Sequence, residues 1–265
     1  MQKRSKFGRF LRAVMASPVE AALFIPERIS ARHDYPASYE PNSDWEARLH
    51  SWLGAPWPCP EGTKLDLLWR DIQSELQSQG LRFGRQTYGE YSDAEISLAR
   101  AAWCTVLHQR PSVVVETGVA RGVTSRIVLE ALSRNNRGHL WSIDLPHLFE
   151  KQLHAQTGAA VPDSHRSRWS YIKGSSRRRL PSLLRSLVQV DLFIHDCLHN
   201  ARNTRFEMEK TLSALTPGGV MIVDDISTHH AFANFAQDFP SLETIVCPHS
   251  DRTGSFFGLV RKPTK

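Results

Sequence analysis

Between residues 92 and 261, short apolar runs alternate with longer segments whose apolar residues recur at helical spacing. Short apolar runs bounded by polar or turn residues predict buried strands, and apolar residues three or four positions apart predict helices. The pattern predicts strands at 113–116, 139–144, 169–173, 190–195, 220–224, 242–247 and 255–261. It predicts helices at 123–133, 180–187, 202–215 and 231–238. Strand and helix therefore alternate through most of this region.

Two local signals mark where predicted elements begin. Ser92 and Glu95 have the spacing of a capping box, which predicts that a helix with Ile96, Ala99 and Trp103 on one face starts there. The run 217–219, Pro-Gly-Gly, predicts a turn before the strand at 220–224.

The alternation predicts an α/β fold in which a mostly parallel sheet is covered by helices on both faces. The last two strands are separated only by residues 248–254, which is too short for a crossover helix, so we expect antiparallel pairing there. The expected fold is a doubly wound, seven-stranded, mostly parallel sheet with its last strand antiparallel. Ligands bind such sheets beyond the carboxyl ends of the strands.

The N-terminal part of the chain has a different character. Residues 1–60 are rich in Pro and Trp and show little sustained periodicity, so we expect a partly helical extension, 1–80, before a domain at 81–265. Its first residues are basic, and Phe7, Phe10, Leu11 and Val14 have helical spacing. Such a helix either contacts a membrane surface or partner peripherally, or packs on its own protein, which is the interpretation we favour.

Composition narrows the class of protein. The chain has 41% hydrophobic and 23% charged residues, as a well-packed globular protein does. Its net charge of +6 comes from scattered basic residues, so we expect no nucleic-acid partner. The four cysteines are far apart and form no C-x-x-C motif, which favours reduced thiols and a cytoplasmic location. Pro18 and Glu20 interrupt the first apolar stretch, which fits neither a signal peptide nor a membrane span.

The turn after the first strand is the strongest functional motif. Glu116 is followed by Gly118 and Gly122, which let the backbone approach a ligand closely and free the N–H groups of the next helix. The chain has no G-x-G-x-x-G motif of the dinucleotide-binding type. A carboxylate beside such a turn suits a cationic ligand, such as the amino group of an amino-acid-derived cofactor.

Other acids follow the neighbouring strands. Asp144 ends the second strand, where an acid can accept hydrogen bonds from the ribose of a nucleoside; its alternative role is a helix cap or a surface acid. Asp196, Asp224 and Asp225 follow strands four and five and are expected to converge. Three close carboxylates need a cation, and Mg²⁺ suits them, although capping and solvated loop positions are the alternative.

A histidine in the same cleft is the candidate base. His199 lies three residues after Asp196 and can take a proton from a substrate hydroxyl. We expect His195 to point into the sheet packing. His229 and His230 are second-choice bases.

Four segments, 116–125, 142–144, 191–199 and 217–225, together resemble class I S-adenosylmethionine-dependent methyltransferases. The resemblance spans about 85–262 and is nearest to the branch of macrocin-type sugar O-methyltransferases and cephalosporin-hydroxylase-like proteins. It implies S-adenosylmethionine and Mg²⁺ as cofactors, with Asp196 and His199 as catalytic residues. The implied cofactor-binding residues are Glu116, Gly118, Gly122, Thr124, Ser125, Asp144, Gly174, Ser175 and Ser176. The implied metal ligands are Asp196, Asp224 and Asp225.

The resemblance implies an O-methyltransferase that acts, with help from a divalent metal, on a hydroxyl of a sugar, glycoside or small polyhydroxylated molecule. One departure is Cys197, which replaces the glycine that many relatives carry. The extension, with Arg85, Tyr88 and Tyr91 just after it, is expected to act as a lid or as an interaction segment that pairs subunits. The arginines at 177–179 either bind an anionic acceptor or begin a solvated helix. A non-catalytic binding module and an RNA methyltransferase are the competing hypotheses.

Overall fold

In a computed structural model of the chain, structure is described for residues 18–89, 91–146 and 151–264. The strands are β1 (Val113–Thr117), β2 (His139–Asp144), β3 (Trp169–Lys173), β4 (Val190–His195), β5 (Leu215–Val223), β6 (Glu243–Pro248) and β7 (Phe256–Arg261). The α-helices are α1 (Pro18–Ser30), α2 (Trp45–Trp52), α3 (Gly62–Ser78), α4 (Ile96–Gln109), α5 (Val123–Arg134), α6 (Ser176–Leu187), α7 (Ala201–Ala214) and α8 (Ala231–Asp238). Short 3₁₀ turns include Lys151–Gln156 and Asp163–Arg168.

The seven strands form one sheet in the order β3-β2-β1-β4-β5-β7-β6. Strands β1 to β5 are parallel, and β7 runs antiparallel to both β5 and β6. This confirms the predicted doubly wound α/β fold with a reversed last strand. The strand order changes direction between β1 and β4, so the crevice at that switch point is the expected ligand site.

The sheet buries apolar side chains on both faces. Successive residues of a strand point to opposite faces, so Val114 joins one core cluster and Val115 the other. Helices α3, α4 and α5 contribute to the first cluster, and α6, α7 and α8 to the second. This two-sided packing explains why the strands are continuous apolar runs.

The predicted capping box is wrong. Glu95 is itself the N-cap residue of α4, and its carboxylate accepts hydrogen bonds from the Ser97 and Leu98 N–H groups. Ser92 does not cap α4; its hydroxyl accepts a hydrogen bond from the Gln86 N–H at 3.3 Å. A glutamate side chain is long enough to reach the free N–H groups of the first turn, so a second capping residue at Ser92 is not required.

Two other predicted boundaries shift. The run at 217–219 lies inside β5, where the pairing with β4 changes register, and not in a separate turn. Helix α6 begins at Ser176, four residues earlier than predicted, because the arginines at 177–179 are good helix formers. Pro181 consequently sits inside the helix.

The N-terminal extension has three described helices. On α3, Leu65, Leu68, Ile72 and Leu76 are buried in the same core cluster as α4. The division into 1–80 and 81–265 stays a prediction. No helix within the described ranges is both long enough and apolar enough to cross a membrane. The predicted amphipathic helix with Phe7, Phe10, Leu11 and Val14 lies outside the described residues.

Candidate active site

A cavity of about 460 Å³ opens at the carboxyl ends of β1, β2, β4 and β5. Its floor includes Gly118 and Asp144, and its far side carries the acids that follow β4 and β5. Residues of α1 and of the segment before α4 line the opposite wall, among them Glu20, Arg85, Tyr88 and Tyr91. The cavity therefore lies at the switch point of the sheet.

The turn after β1 depends on glycine. Gly118 has φ +89°, and a Cβ there would lie 1.7 Å from the backbone oxygen of Asp196. Any side chain would therefore separate the ends of β1 and β4. Gly122 has φ +80° and is the N-cap residue of α5. Thr124 lines the cavity from the first turn of that helix, whereas Gly122 is not one of the lining residues.

Glu116 lies beneath the cavity floor and is 0% exposed. Its Oε2 accepts hydrogen bonds from Ser125 (2.6 Å) and Ser142 (2.7 Å), while Oε1 is buried without a partner. Burial, assisted by the charge of Asp144, raises its pKa to about 7 against the lowering effect of the two serines. A positively charged group that contacts this free oxygen would stabilise the buried carboxylate.

Asp144 reaches the cavity from the end of β2. Burial raises its pKa to about 7, and hydrogen bonds from the Val119 and Leu145 N–H groups oppose that rise. The next strand ends beside it, because the Gly174 N–H donates to the Asp144 carbonyl at 2.9 Å. Gly174, Ser175 and Ser176 all line the cavity at this point. The Asp144 carboxylate thus lies beside the glycine turn, where it can accept hydrogen bonds from a ligand in the cavity.

A second polar group forms where β4 and β5 end. One ligand atom each of Asp196, His199 and Asp224 lies within 4.8 Å of the others. Burial and the charges of Asp224, Glu116 and Asp225 raise the pKa of Asp196 well above its ordinary value. The Nε2 of His199 is 3.8 Å from Asp196 Oδ1 and 4.0 Å from Asp225 Oδ2. The predicted base and the predicted acids therefore meet.

Asp225 lies at the side of this group. Its Oδ1 accepts hydrogen bonds from Arg252 and Ser255, both at 3.3 Å. One ligand atom each of Asp224, Asp225 and His249 also lies within 4.8 Å of the others. The three acids predicted to bind a metal are thus neighbours. His249 and Arg252 form ion pairs with two of them, Asp224 and Asp225, and would compete with a metal ion.

His249, which no sequence motif singled out, lies between two carboxylates. Its Nδ1 is 2.9 Å from Glu95 Oε2, and its Nε2 is 3.0 Å from Asp224 Oδ1. Burial alone would lower its pKa, but the two acids raise it to about 9. Burial would likewise raise the pKa of Asp224, but His249, His199 and Arg252 lower it to about 2. The only signal in the sequence was a histidine near Asp251 in the short loop before β7.

Arg121, which no sequence motif singled out either, connects the glycine turn to the segment before α4. It is 3% exposed, forms an ion pair with Asp93 at 3.4 Å, and donates to Gln156 and to the Thr87 carbonyl. The wall segment is held a second time by Tyr88, whose hydroxyl is 2.9 Å from Thr157 Oγ1.

The arginines at the start of α6 are paired with α1. Glu20 is 3% exposed, accepts a hydrogen bond from the Ser175 N–H at 3.3 Å and lies 3.2 Å from Arg178. Glu27, also 3% exposed, forms ion pairs with Arg177 and Arg202.

His195 points away from the cavity, as predicted. Its Nδ1 is 2.8 Å from Glu207 Oε2, and its Nε2 is 3.0 Å from the Thr204 hydroxyl, which also contacts His229. Cys197, which replaces the glycine of many relatives, donates a hydrogen bond to Glu207 Oε1 of α7 at 3.1 Å. His199 nevertheless lines the cavity. His230 contacts the Pro36 carbonyl at 3.2 Å.

Most predicted site residues meet in this cavity. The ones that line it are Gly118, Thr124, Asp144, Gly174, Ser175, Ser176, Asp196, His199, Asp224 and Asp225. Glu116, Gly122 and Ser125 lie behind this lining and support it.

Residues 115–226 match a protein family whose model is described as a methyltransferase domain. The comparison with curated protein sequences found no match. Among solved structures, the O-methyltransferase TomG from Streptomyces achromogenes, involved in tomaymycin synthesis and in complex with SAM, is 13% identical, with 74% of this chain and 89% of that chain covered and a TM-score of 0.53.

Two further solved structures are similar. The O-methyltransferase from Bacillus cereus in complex with SAH is 12% identical, over 74% of this chain and 90% of that chain, with a TM-score of 0.52. The SAH-bound methyltransferase PaMTH1 from Podospora anserina is 14% identical, over 85% of this chain and 99% of that chain, with a TM-score of 0.51. The chain therefore has the fold of the class I methyltransferases, and residues 115–226 match the model of a methyltransferase domain.

Proposed function

We propose that the chain is an S-adenosylmethionine-dependent O-methyltransferase. The observation that carries this proposal is a single cavity with two differently equipped ends. One end has the glycine turn and Asp144, and the other has Asp196, His199 and Asp224. The first end suits a nucleoside with a cationic amino-acid part, and the second suits an acceptor hydroxyl.

The cofactor end fits the groups of S-adenosylmethionine. Asp144 offers a carboxylate to the ribose hydroxyls, and Gly118, which lines the cavity beside it, lets the ends of β1 and β4 lie in contact there. The unpartnered Oε1 of Glu116 lies under the same turn and attracts the amino group electrostatically. When bound, S-adenosylmethionine supplies a methyl group on a sulfonium that is its own leaving group. The similar structures named above include one with SAM and two with SAH.

The acceptor end fits a divalent cation. Asp196 and Asp224 are close enough to share one ion, and burial together with the charges of Asp224, Glu116 and Asp225 raises the pKa of Asp196 well above its ordinary value. Asp225 is the third candidate ligand and lies close to Asp224. Mg²⁺ accepts a few carboxylates and keeps positions for other oxygens. When bound there, it would lower the pKa of an acceptor hydroxyl.

His199 is the proposed general base. Its Nδ1 is buried without a partner, and its Nε2 lies between Asp196 and Asp225. The flanking carboxylates stabilise the imidazolium that forms when the ring takes a proton from the acceptor. The walls hold the acceptor near the methyl group, and positioning of this kind supplies much of the rate of a displacement reaction.

For the acceptor, we propose a vicinal diol of a sugar, glycoside or small polyhydroxylated molecule, in keeping with the macrocin-type branch. Arg85, Tyr88 and Tyr91 line the wall opposite the acids and offer aromatic and hydrogen-bonding contacts to such a molecule. The arginines at 177–179 are less suited to an anionic acceptor, because Arg177 and Arg178 are already paired with Glu27 and Glu20.

Calorimetric titration with S-adenosylmethionine tests the cofactor end. We expect saturable binding by the unchanged protein and a loss of affinity of about tenfold or more in Asp144→Asn, since a hydrogen bond to a charged group contributes about 1.5–3 kcal/mol. Asp163→Asn is the matched control, because the Asp163 side chain is 95% exposed, and it should bind normally. Absence of saturable binding by the unchanged protein would refute the proposal.

The same preparation tests the acceptor end by turnover on a panel of glycosides and catechol-like diols. Dialysis against EDTA should abolish turnover and added Mg²⁺ should restore it, whereas Asp196→Asn should stay inactive at any Mg²⁺ concentration. Turnover that survives chelation would remove the metal from the proposal and leave His199 as the base alone.

A further inference from the structure

Two cysteines and two histidines converge on the side of α4 that faces the N-terminal extension, away from the cavity. His50 lies on α2, and Cys59 lies in the loop between α2 and α3. Cys104 and His108 are four residues apart on α4, a spacing that places both side chains on one face of the helix. No sequence motif connects them, because 45 residues separate Cys59 from Cys104.

The distances between these side chains resemble those within a tetrahedral metal site. Cys59 Sγ is 3.4 Å from Cys104 Sγ and 3.5 Å from His108 Nε2. Zinc–sulfur bonds near 2.3 Å and zinc–nitrogen bonds near 2.05 Å would place two sulfurs about 3.8 Å apart, and sulfur and nitrogen about 3.6 Å apart. His50, Cys59 and Cys104 each have a ligand atom within 4.8 Å of the others, and His108 contacts the group through Cys59.

His50 supplies an independent observation. Its Nδ1 lies 2.8 Å from the Glu46 carbonyl, and because a carbonyl can only accept, Nδ1 carries the proton. Nε2 is therefore a lone-pair nitrogen, and it is buried without a hydrogen-bond partner on a residue that is 1% exposed. A carbonyl on one ring nitrogen and a free lone pair on the other is the usual arrangement of a metal-bound histidine.

We propose that His50, Cys59, Cys104 and His108 bind one Zn²⁺ in a structural site. Two thiolates and two imidazoles are the donors that zinc prefers, and four protein ligands leave no position open for substrate. Binding releases the two thiol protons to solvent as the zinc–sulfur bonds form. The site ties the loop that carries Cys59 to α4 and is separate from the oxygen-rich group at Asp196 and Asp224.

Metal analysis of the full chain, purified without chelators, tests the proposal. We expect one zinc ion per chain, most of which is lost in Cys59→Ser. Cys247→Ala is the matched control, since Cys247 is a buried cysteine of β6 outside the cluster, and it should keep its zinc. Chelation should lower the melting temperature of the unchanged protein and of the control by several degrees, and have little effect on Cys59→Ser.

Cobalt substitution separates this site from the aspartates and needs no destabilised variant. The Co²⁺ form of the unchanged protein should show thiolate-to-cobalt charge transfer in the near ultraviolet, and Asp196→Asn should retain it. All four thiols should titrate after denaturation in EDTA. Protein without zinc and without the charge-transfer band would overturn the proposal, and so would only two titratable thiols, which would indicate a Cys59–Cys104 disulfide.

Discussion

Glu116 and Asp144 owe their raised pKa values to burial, which hydrogen bonds from serine hydroxyls and backbone N–H groups only partly offset. Both were predictable as acids at strand ends, because the β-branched run before Glu116 and the spacing to Asp144 are visible in the sequence. Their depth was not predictable. Ser125 and Ser142, which hold Glu116, come from a helix and from a different strand, and only the folded sheet places them together.

The Glu116→Gln variant should separate stability from binding. Native Glu116 holds its proton up to a pKa of about 7, whereas an unfolded glutamate loses it near 4.5, so the free protein loses stability as pH rises through this window. At pH 8 the loss is on the order of 3 kcal/mol. Thermal melts should therefore find the variant more stable than the unchanged protein at pH 8, with little difference at pH 5.

The affinity of the same variant for S-adenosylmethionine should move in the opposite direction. Removing the charge should weaken binding at pH 8, and binding by the unchanged protein should weaken as pH falls from 8 to 6, because both acids become neutral. Calorimetry across this range measures the effect. A variant that melts lower at pH 8, or binding that is independent of pH, would contradict this account.

At the scale of single elements, α1 shows what the sequence pattern could not supply. Its glutamates at positions 20 and 27 are two helical turns apart and share a face, which any helical plot would indicate. Their partners, Arg178 and Arg177, lie 158 and 150 residues away along the chain, so only the fold could identify them. The helix thereby covers the cavity beside Ser175.

Loosening α1 should affect how long the cofactor stays bound. Glu27→Gln leaves Arg177 and Arg202 without their carboxylate and should speed dissociation of S-adenosylmethionine several-fold in stopped-flow measurements, since a buried charge without a partner is unfavourable. Limited proteolysis should also cut faster near residues 30–35. Glu40→Gln, at an exposed position, is the control. Equal dissociation rates in both variants would show that α1 is not a lid.

On the scale of the whole molecule, the extension and the sheet share one apolar core. The mostly parallel sheet and its reversed last strand were predictable from the alternation of elements and from one short connection, whereas the order of the strands was not predicted. The contribution of α3 did not, because an amphipathic helix does not specify which surface it will cover. His249 and Glu95 likewise meet across 154 residues, through the return of β7 along β5.

Two substitutions on α3 test whether the extension and the sheet unfold together as one core. Ile72 is 1% exposed and Leu67 is 51% exposed on the same helix. Ile72→Ala should cost about 2–5 kcal/mol and lower the single unfolding transition of the whole chain, while Leu67→Ala should change it little. Denaturant melts followed by tryptophan fluorescence provide the measurement. Two separate transitions, with only one of them moved, would indicate an independently folding extension.

The placement of β7 between β5 and β6 also determines when the aspartates gain their cations. Asp224 and Asp225 leave the ribosome before His249 and Arg252, which follow them in the chain and contact them from the loop between β6 and β7. Until the final hairpin inserts, the rim of the nascent protein carries mutually repelling carboxylates. Insertion of that hairpin is thus the step of biosynthesis at which Asp224 and Asp225 gain their basic partners.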